Sequence, residues 1–396
     1  MKHLLNFLSI ALTSIALLTA IWIVVSAPAY NLWLLAVAAS EWSLWLGVIA
    51  LIGIFCSLFA RTIQPNGKLW IFSLIFGGAA FIISLYPLVS VLNVARENNV
   101  SLSLTNYFAG LNGSTKKQTN DFTTYTFAQA DGKDLQLDVY LPTENTTDNG
   151  ASVIVVHGGS WNGGKRSDFP RWNSWLAAHG FTVFDIDYRL APQPNYQTAT
   201  GDVKCAVRWI KQHAADFKIS PDRIALLGRS AGGHLALLAA YTPENEQLRP
   251  TCQQNNHSET VQAVISFYAP TDLIWGFDHP ANQFVINGPN TLANFLDGSP
   301  HESNELQNRY MLASPVAHVS ADTPPTLLIH GGQDQLVREE NMLRLGERLS
   351  DANISHKTIL IPYAQHGFDY NFNGWGAQIT KLSILNFLRL NTGIAH

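Results

Sequence analysis

The 396-residue chain has only three cysteines, and charged residues make up 14% of it against 47% hydrophobic. It contains no H-E-x-x-H segment and no paired C-x-x-C spacing, and its 13 histidines are scattered, so no metal site is expected. No glycine-rich phosphate loop stands between a strand pattern and a helix pattern. A formal net charge of -4 and a pI near 6.3 leave no basic surplus for neutralising phosphates, which argues against nucleic acid as a partner. Neither an internal repeat nor a low-complexity tract is present. No cofactor is expected, and no obligate protein partner is evident.

The shortage of charge is concentrated at one end. No Lys or Arg occurs between Lys2 and Arg61, and three apolar stretches, 4–25, 42–60 and 69–92, each approach the 17 to 25 residues that cross a bilayer as a helix. Residues 1–95 therefore read as a membrane anchor with three transmembrane helices, and the lipid bilayer as a partner. Lys2 precedes the first span, while Arg61 and Lys68 flank the turn between the second and third. Cations favour the cytoplasmic side, which sends the rest of the chain to the extracytoplasmic side. Ala27-Pro28-Ala29 resembles a signal-peptide cleavage site, but the apolar run is long for an h-region and the proline is unfavourable, so an uncleaved helix is preferred. Glu41, just before the second span, is expected to be hydrated at the interface. Trp33, Trp42, Trp45 and Trp70 fit an aromatic belt.

Residues 96–123 read as a linker, polar around Asn112-Gly113-Ser114-Thr115-Lys116-Lys117, whose first part continues the third helix. Residues 124–396 have an ordinary size for one domain. Strand patterns near 135–141, 152–156, 181–186, 223–227, 261–267, 325–330 and 357–361 alternate with helical ones. That alternation predicts an α/β fold, a mostly parallel sheet with helices on both faces. Between 275 and 316 the pattern breaks down into Gly, Asn, Pro and mixed polar residues, which suggests a cap-like insertion.

The most informative segment is Gly228-Arg229-Ser230-Ala231-Gly232, which joins the strand pattern Arg223-Ile224-Ala225-Leu226-Leu227 to a helix pattern beginning near His234. A G-x-S-x-G in that setting marks a nucleophile on a turn too tight for side chains at its flanks. A serine hydroxyl needs a base, an acid to orient the base, and donors for the oxyanion. Asp334 follows the strand pattern 326–329, and His366 follows 358–361. Gly158 and Gly159 follow the strand pattern 153–156, and their amides, with that of Ala231, are the expected oxyanion hole. The candidate catalytic residues are Ser230, Asp334 and His366, in that chain order.

These pieces, together with Leu137-Asp138-Val139-Tyr140-Leu141-Pro142, His157-Gly158-Gly159-Ser160-Trp161, Asp187-Tyr188-Arg189-Leu190-Ala191-Pro192 and Ala313-Ser314-Pro315, resemble an alpha/beta hydrolase of the esterase/lipase type. From about Thr124 onward the chain is similar to the hormone-sensitive-lipase-like and BD-FAE-like (acetyl-xylan or feruloyl esterase-like) families. Two positions depart from the usual pattern: Ser160 replaces the third glycine of an HGGG loop, and Arg338 replaces a proline after the acid loop. The HGG-x-W variant resembles feruloyl-esterase-like and formamidase-like members. In this fold an insertion after the strand ending near Phe267 covers the active site, so Trp161 and Trp275 are expected to shape the substrate pocket.

Cys56 reads as a small apolar residue within a span. Cys205 and Cys252 are either a disulfide in an oxidising compartment or two separate thiols. Asp187 and Arg189 are expected to form a buried ion pair, and Asp202 to support the helix after it. His157 is expected to brace the oxyanion turn and His234 to serve packing. Asp369, three residues after His366, competes with Asp334 for the role of acid but is expected to bond locally. The expected activity is hydrolysis of a small-molecule, lipid or sugar ester through an acyl-serine. The alternatives are an acyltransferase or formamidase-like amidase using the same residues, or a non-catalytic membrane receptor or scaffold.

Overall fold

In the computed structural model the described residues are 2–63, 68–109, 122–143, 150–190, 192–250, 252 and 256–393. The polar linker stretch 112–117 lies outside them. The N-terminal region forms α1 (Lys2–Ala20), α2 (Tyr30–Glu41), α3 (Ser43–Ile63) and α4 (Leu69–Glu97). The first helical run, 4–23 with its final turn, together with α3 and α4, is long and apolar enough to cross a membrane. These three associate through small residues, which let their backbones approach closely. A Cβ on Gly53 would come within 2.6 Å of Thr13, and one on Gly77 within 2.6 Å of Ile54. Ser9 Oγ donates to the Gly53 carbonyl at 2.9 Å and lies 2.7 Å from Ser73 Oγ, from which it can accept.

A short helix α5 (Leu104–Ala109) precedes β1 (Thr123–Ala130), β2 (Lys133–Tyr140), β3 (Ser152–Val156), α6 (Pro170–Ala177), β4 (Thr182–Ile186), α7 (Tyr196–Gln212), β5 (Ile224–Arg229), α8 (Ala231–Tyr241) and β6 (Ala263–Phe267). Then follow α9 (Leu273–Asp278), α10 (Gly288–Leu296), α11 (Asn304–Ala313), β7 (Thr326–Gly331), α12 (Glu340–Asp351), β8 (His356–Ile361) and α13 (Trp375–Asn391). The eight strands form one sheet in the order β1-β2-β4-β3-β5-β6-β7-β8, parallel from β4 through β8 and antiparallel at β1 and β2. This is the alpha/beta hydrolase arrangement. The sheet is apolar on both sides: Ile154 and Val156 pack towards α7 and α8, while Val153 and Val155 pack towards α6 and α13. Full burial on two faces explains why these strands read as unbroken apolar runs.

Several expectations need correction. β1 was not foreseen, because four of its first residues are exposed at the sheet edge. The stretch 275–316 is built from helices. The described first part of the linker is docked: Tyr107 stacks on Trp375 at 4.3 Å between ring centres. Residues 30–41 form the helix α2, and this helix lies against the hydrolase domain. Trp33 is therefore buried beside Val285 and Leu336 rather than placed in a membrane belt. Ala27 is gripped from both sides, donating its N–H to Gln335 Oε1 at 2.8 Å and accepting from Asn282 Nδ2 at 2.5 Å.

Glu41 is also not at a hydrated interface. It is 2% exposed, its backbone carbonyl accepts from Asn371 Nδ2 at 3.0 Å, and a Cβ on Gly374 would strike its carboxyl. Burial, and secondarily the charge of Asp369, push its pKa well above the ordinary 4.5, although Tyr363 and Asn371 beside it temper the effect. The folded state thus retains a proton that the unfolded chain releases, so stability is full below about pH 4.5 and declines as pH rises towards the folded pKa. Glu41→Gln should abolish this decline, which for one proton reaches about 1.4 kcal/mol per pH unit. Thermal unfolding of the detergent-solubilised protein between pH 5 and 8 will show whether the two proteins diverge as pH rises.

Candidate active site

β5 delivers Ser230 into a forced conformation. Its φ of 53° and ψ of -122° lie where a side chain is strained, while its N–H is held by the Phe267 carbonyl at 2.9 Å. The flanking glycines are a spatial necessity. A Cβ on Gly228 would approach the Gly232 carbonyl oxygen to 2.1 Å, and one on Gly232 would approach those of His157 and Val156 to 2.2 and 2.3 Å. Ala231 opens α8, so its N–H belongs to the group that has no partner within the helix. The 157–161 loop presses on the same elbow, with the Gly158 Cα direction facing Ser230.

Asp334 and His366 come from loops after β7 and β8. His366 Nδ1 lies 2.7 Å from Asp334 Oδ2. The other carboxylate oxygen accepts the N–H groups of Leu336 and Val337 at 2.8 and 3.0 Å, and His330 Nε2 lies 3.3 Å from Oδ2. Burial alone would raise the Asp334 pKa, but His366 and His330 more than offset it and hold the carboxyl below its ordinary range. This site therefore favours an anion that can orient an imidazole. His366 itself is almost buried, its ring against that of Tyr268 at 4.4 Å.

Asp369 does not compete for His366 among the contacts of the described residues. It bonds Arg229 Nε and the Tyr268 hydroxyl, each at 2.5 Å, and so is neither the orienting acid nor a purely local acceptor. The Arg229 guanidinium lies over Phe169, Trp172 and Phe267. Asp187 and Arg189 are not a pair. Asp187 takes Arg166, and Arg189 takes Asp202 at 2.7 Å and Asp131 at 3.1 Å. Asp202 thus supports Arg189 from within α7. His157 Nδ1 lies 2.7 Å from the Gly158 carbonyl with its ring stacked on Tyr188, the bracing role expected of it.

Two cavities meet at Ser230. The larger, about 500 Å³, also receives His366, Gly158 and Gly159, and one wall is Tyr30, Trp33 and Leu34 of α2. The smaller, about 80 Å³, is lined by Trp161, Ala231, Leu292 and other residues around α9 and α10. Ser160, Ile286 and Leu336 belong to both. Trp161 is held by stacking on Phe295 at 4.2 Å and by donating its indole N–H to His234 Nδ1 at 3.2 Å. Burial lowers the His234 pKa to about 4, which keeps the ring neutral with its other nitrogen on the Ala313 carbonyl at 2.7 Å. Trp275 lines neither of these two cavities. It stacks on His279, which does line the smaller one. Cys205 and Cys252 are joined in a disulfide that fastens α7 to the loop after α8. No cluster suited to a metal ion occurs among the described residues. No motif in the sequence points to α2 at the site: it lies between the expected spans 4–25 and 42–60, and its Trp33 reads as part of an aromatic belt.

Comparison with known proteins places these features in a family. The family described as BD-FAE matches residues 137–349. A probable carboxylic ester hydrolase, LipM, of Mycobacterium tuberculosis is 32% identical over 269 residues, covering 65% of this chain and 58% of LipM. Esterase LipQ of the same organism is 29% identical over 60% of this chain and 55% of LipQ. The chain thus spans somewhat more than half the length of these relatives. The propionate-bound structure of the thermophilic esterase Est2 from Thermogutta terrifontis superposes with a TM-score of 0.55 at 25% identity, covering 70% of this chain and 96% of Est2.

The crowding at Gly232 makes a stability prediction of unusual sign. Alanine is ordinarily the better helix former by about 1 kcal/mol. Here Gly232→Ala should instead destabilise the domain by about 3 kcal/mol or more, since its methyl group meets two backbone carbonyls. Chemical denaturation of both proteins will measure the difference.

Proposed function

Because the chain belongs to the BD-FAE family, we propose that it is a membrane-anchored serine carboxylic-ester hydrolase acting through Ser230, His366 and Asp334. The observation that carries the reading is the 2.7 Å contact of His366 with the buried Asp334 carboxylate, made at the rim of a cavity that also holds Ser230 on its strained elbow. In the reaction, His366 accepts the Ser230 proton as Oγ attacks the ester carbonyl. Asp334 fixes the imidazole tautomer and stabilises the imidazolium that forms. The negative charge on the tetrahedral oxygen is met by the amides of Gly158, Gly159 and Ala231. Collapse breaks the ester C–O bond, and His366 returns its proton to the departing alkoxide. Water, deprotonated by the same imidazole, then attacks the acyl-serine, releasing the acid and regenerating Ser230.

The three apolar helices would hold this domain at a bilayer, with the cationic turn between the second and third on the cytoplasmic side and the catalytic domain on the extracytoplasmic side. The Cys205–Cys252 bond supports that placement, because disulfides persist in oxidising compartments. Transfer of the acyl group to a hydroxyl of a lipid or sugar is the second reading. It is favoured by the apolar α2 wall beside His366, where an acceptor from the membrane would arrive.

Ser230→Ala should lower turnover of p-nitrophenyl acetate by several orders of magnitude with an unchanged melting temperature. Asp334→Asn should lower kcat by about 10³- to 10⁴-fold. A fluorophosphonate probe should label the wild type and not Ser230→Ala, and an unlabelled but folded wild type would point to the scaffold reading. A reporter fused after residue 393 should be active when it is one that works only outside the cytoplasm; activity of a cytoplasm-restricted reporter would reverse the orientation.

A further inference from the structure

The two cavities at Ser230 differ in which catalytic group they contain, and chemistry then assigns their contents. His366 lines the larger cavity. The imidazole that protonates the leaving alkoxide must lie beside the alcohol oxygen, so the alcohol part of an ester belongs on that side. The oxyanion donors line both cavities, Gly158 and Gly159 the larger and Ala231 the smaller. With the alcohol placed beside His366, the acyl carbon chain takes the smaller one. The acyl side, about 80 Å³, suits a short chain, whereas the alcohol side offers about 500 Å³.

The wall of the larger cavity has an unusual origin. Tyr30, Trp33 and Leu34 lie on α2, and α2 is the connection between the first apolar helix and α3. A segment of 19 residues, 24–42, joining two antiparallel membrane-spanning helices must stay at the bilayer surface on the side where both emerge. α4 delivers the hydrolase domain to that same side. Ala27 is bound to Gln335 and Asn282, and Trp33 is 7% exposed between Val285 and Leu336, so α2 is seated on the domain. Tyr30 and Leu34 stay about half exposed at the cavity. The alcohol side of the site therefore opens where an apolar membrane segment forms its lip.

We infer that the preferred substrate is an ester in which a short acyl group is carried by a long amphiphilic alcohol residing in the bilayer, and that Tyr30 and Leu34 of α2 determine this preference by contacting that alcohol. The inference rests on the esterase reading above and specifies its substrate class. It assigns the long chain to the side of the reacting bond opposite to that expected for a lipase acting on long fatty acyl groups.

Two isomeric esters test this directly. Hexadecyl acetate and ethyl palmitate have the same atoms, with the long chain on the alcohol in one and on the acyl group in the other. The full-length protein in phosphatidylcholine vesicles should hydrolyse hexadecyl acetate with a kcat/KM at least about tenfold above that for ethyl palmitate. Equal rates, or preference for ethyl palmitate, would overturn the assignment. In Tyr30→Ala and Leu34→Ala, the ratio of kcat/KM for hexadecyl acetate to that for p-nitrophenyl acetate should fall about fivefold. An unchanged ratio in both variants would remove α2 from the recognition. Leu292→Ala, which enlarges the other cavity, should raise the p-nitrophenyl hexanoate to acetate ratio instead; if it does not, the acyl group lies elsewhere. Failure of the esterase reading is separately visible, because p-nitrophenyl acetate would then survive Ser230→Ala.

Discussion

A carboxylate without water is tolerable only when every lone pair faces a donor, and Asp334 depends on that condition. Its four neighbours are two backbone N–H groups and two imidazoles. The backbone donors exist because the chain turns sharply after β7, and the turn is sharp because the parallel sheet brings the ends of β5, β7 and β8 to a single edge. His366 can lie at the cavity that holds Ser230 only where that edge allows both loops to meet. The helices α9 to α11, the 157–161 loop and the N-terminal helix α2 are then arranged around a point already determined by the sheet.

The second organising constraint is the set of three long apolar helices at the N-terminus. The segment that connects the first of them to α3 is joined to the hydrolase domain by hydrogen bonds at Ala27 and by apolar contact at Trp33. The end of α4 contributes Val91 and Ala95 to the core on the α6 and α13 face of the sheet, and α5 adds the Tyr107–Trp375 stack. The anchor thus shares a core with the domain it carries. A raised Glu41 pKa fits this junction, since an ionised carboxyl would need donors that the surrounding aromatic side chains supply only sparingly.

Much of this was legible in the sequence, and the failures have physical causes. Buried parallel strands announce themselves as apolar runs because both faces must be dry, so β3, β4, β5, β6 and β7 were readable. The edge strand β1 has one face and most of its length in water, and its residues carry no such signature. The glycines around Ser230 and the loops bearing Asp334 and His366 could be placed because a turn beyond a strand end is a local property. α2 could not be placed, because apolar composition says that a segment avoids water and not whether lipid or protein replaces it. Asp187 and Arg189 misled by proximity: side chains two apart along an extended chain need not meet when stronger geometries await them elsewhere, and Arg166 and Asp202 supplied these. The helices α9, α10 and α11 were obscured by the glycine, asparagine and proline residues that cap and separate them.

The run of contacts from Arg229 to His366 has a mechanical meaning. Arg229 is the residue just before Ser230, and its guanidinium is wedged among three aromatic rings. Through Asp369 and the Tyr268 hydroxyl it reaches the face of the His366 ring. Ser230 and the His366 imidazole are thereby tied by a second route that bypasses Asp334 altogether. The His366 ring is consequently braced from two directions, by the Asp334 carboxylate at its edge and by the Tyr268 ring beside it, as a beam held at two points resists turning about either.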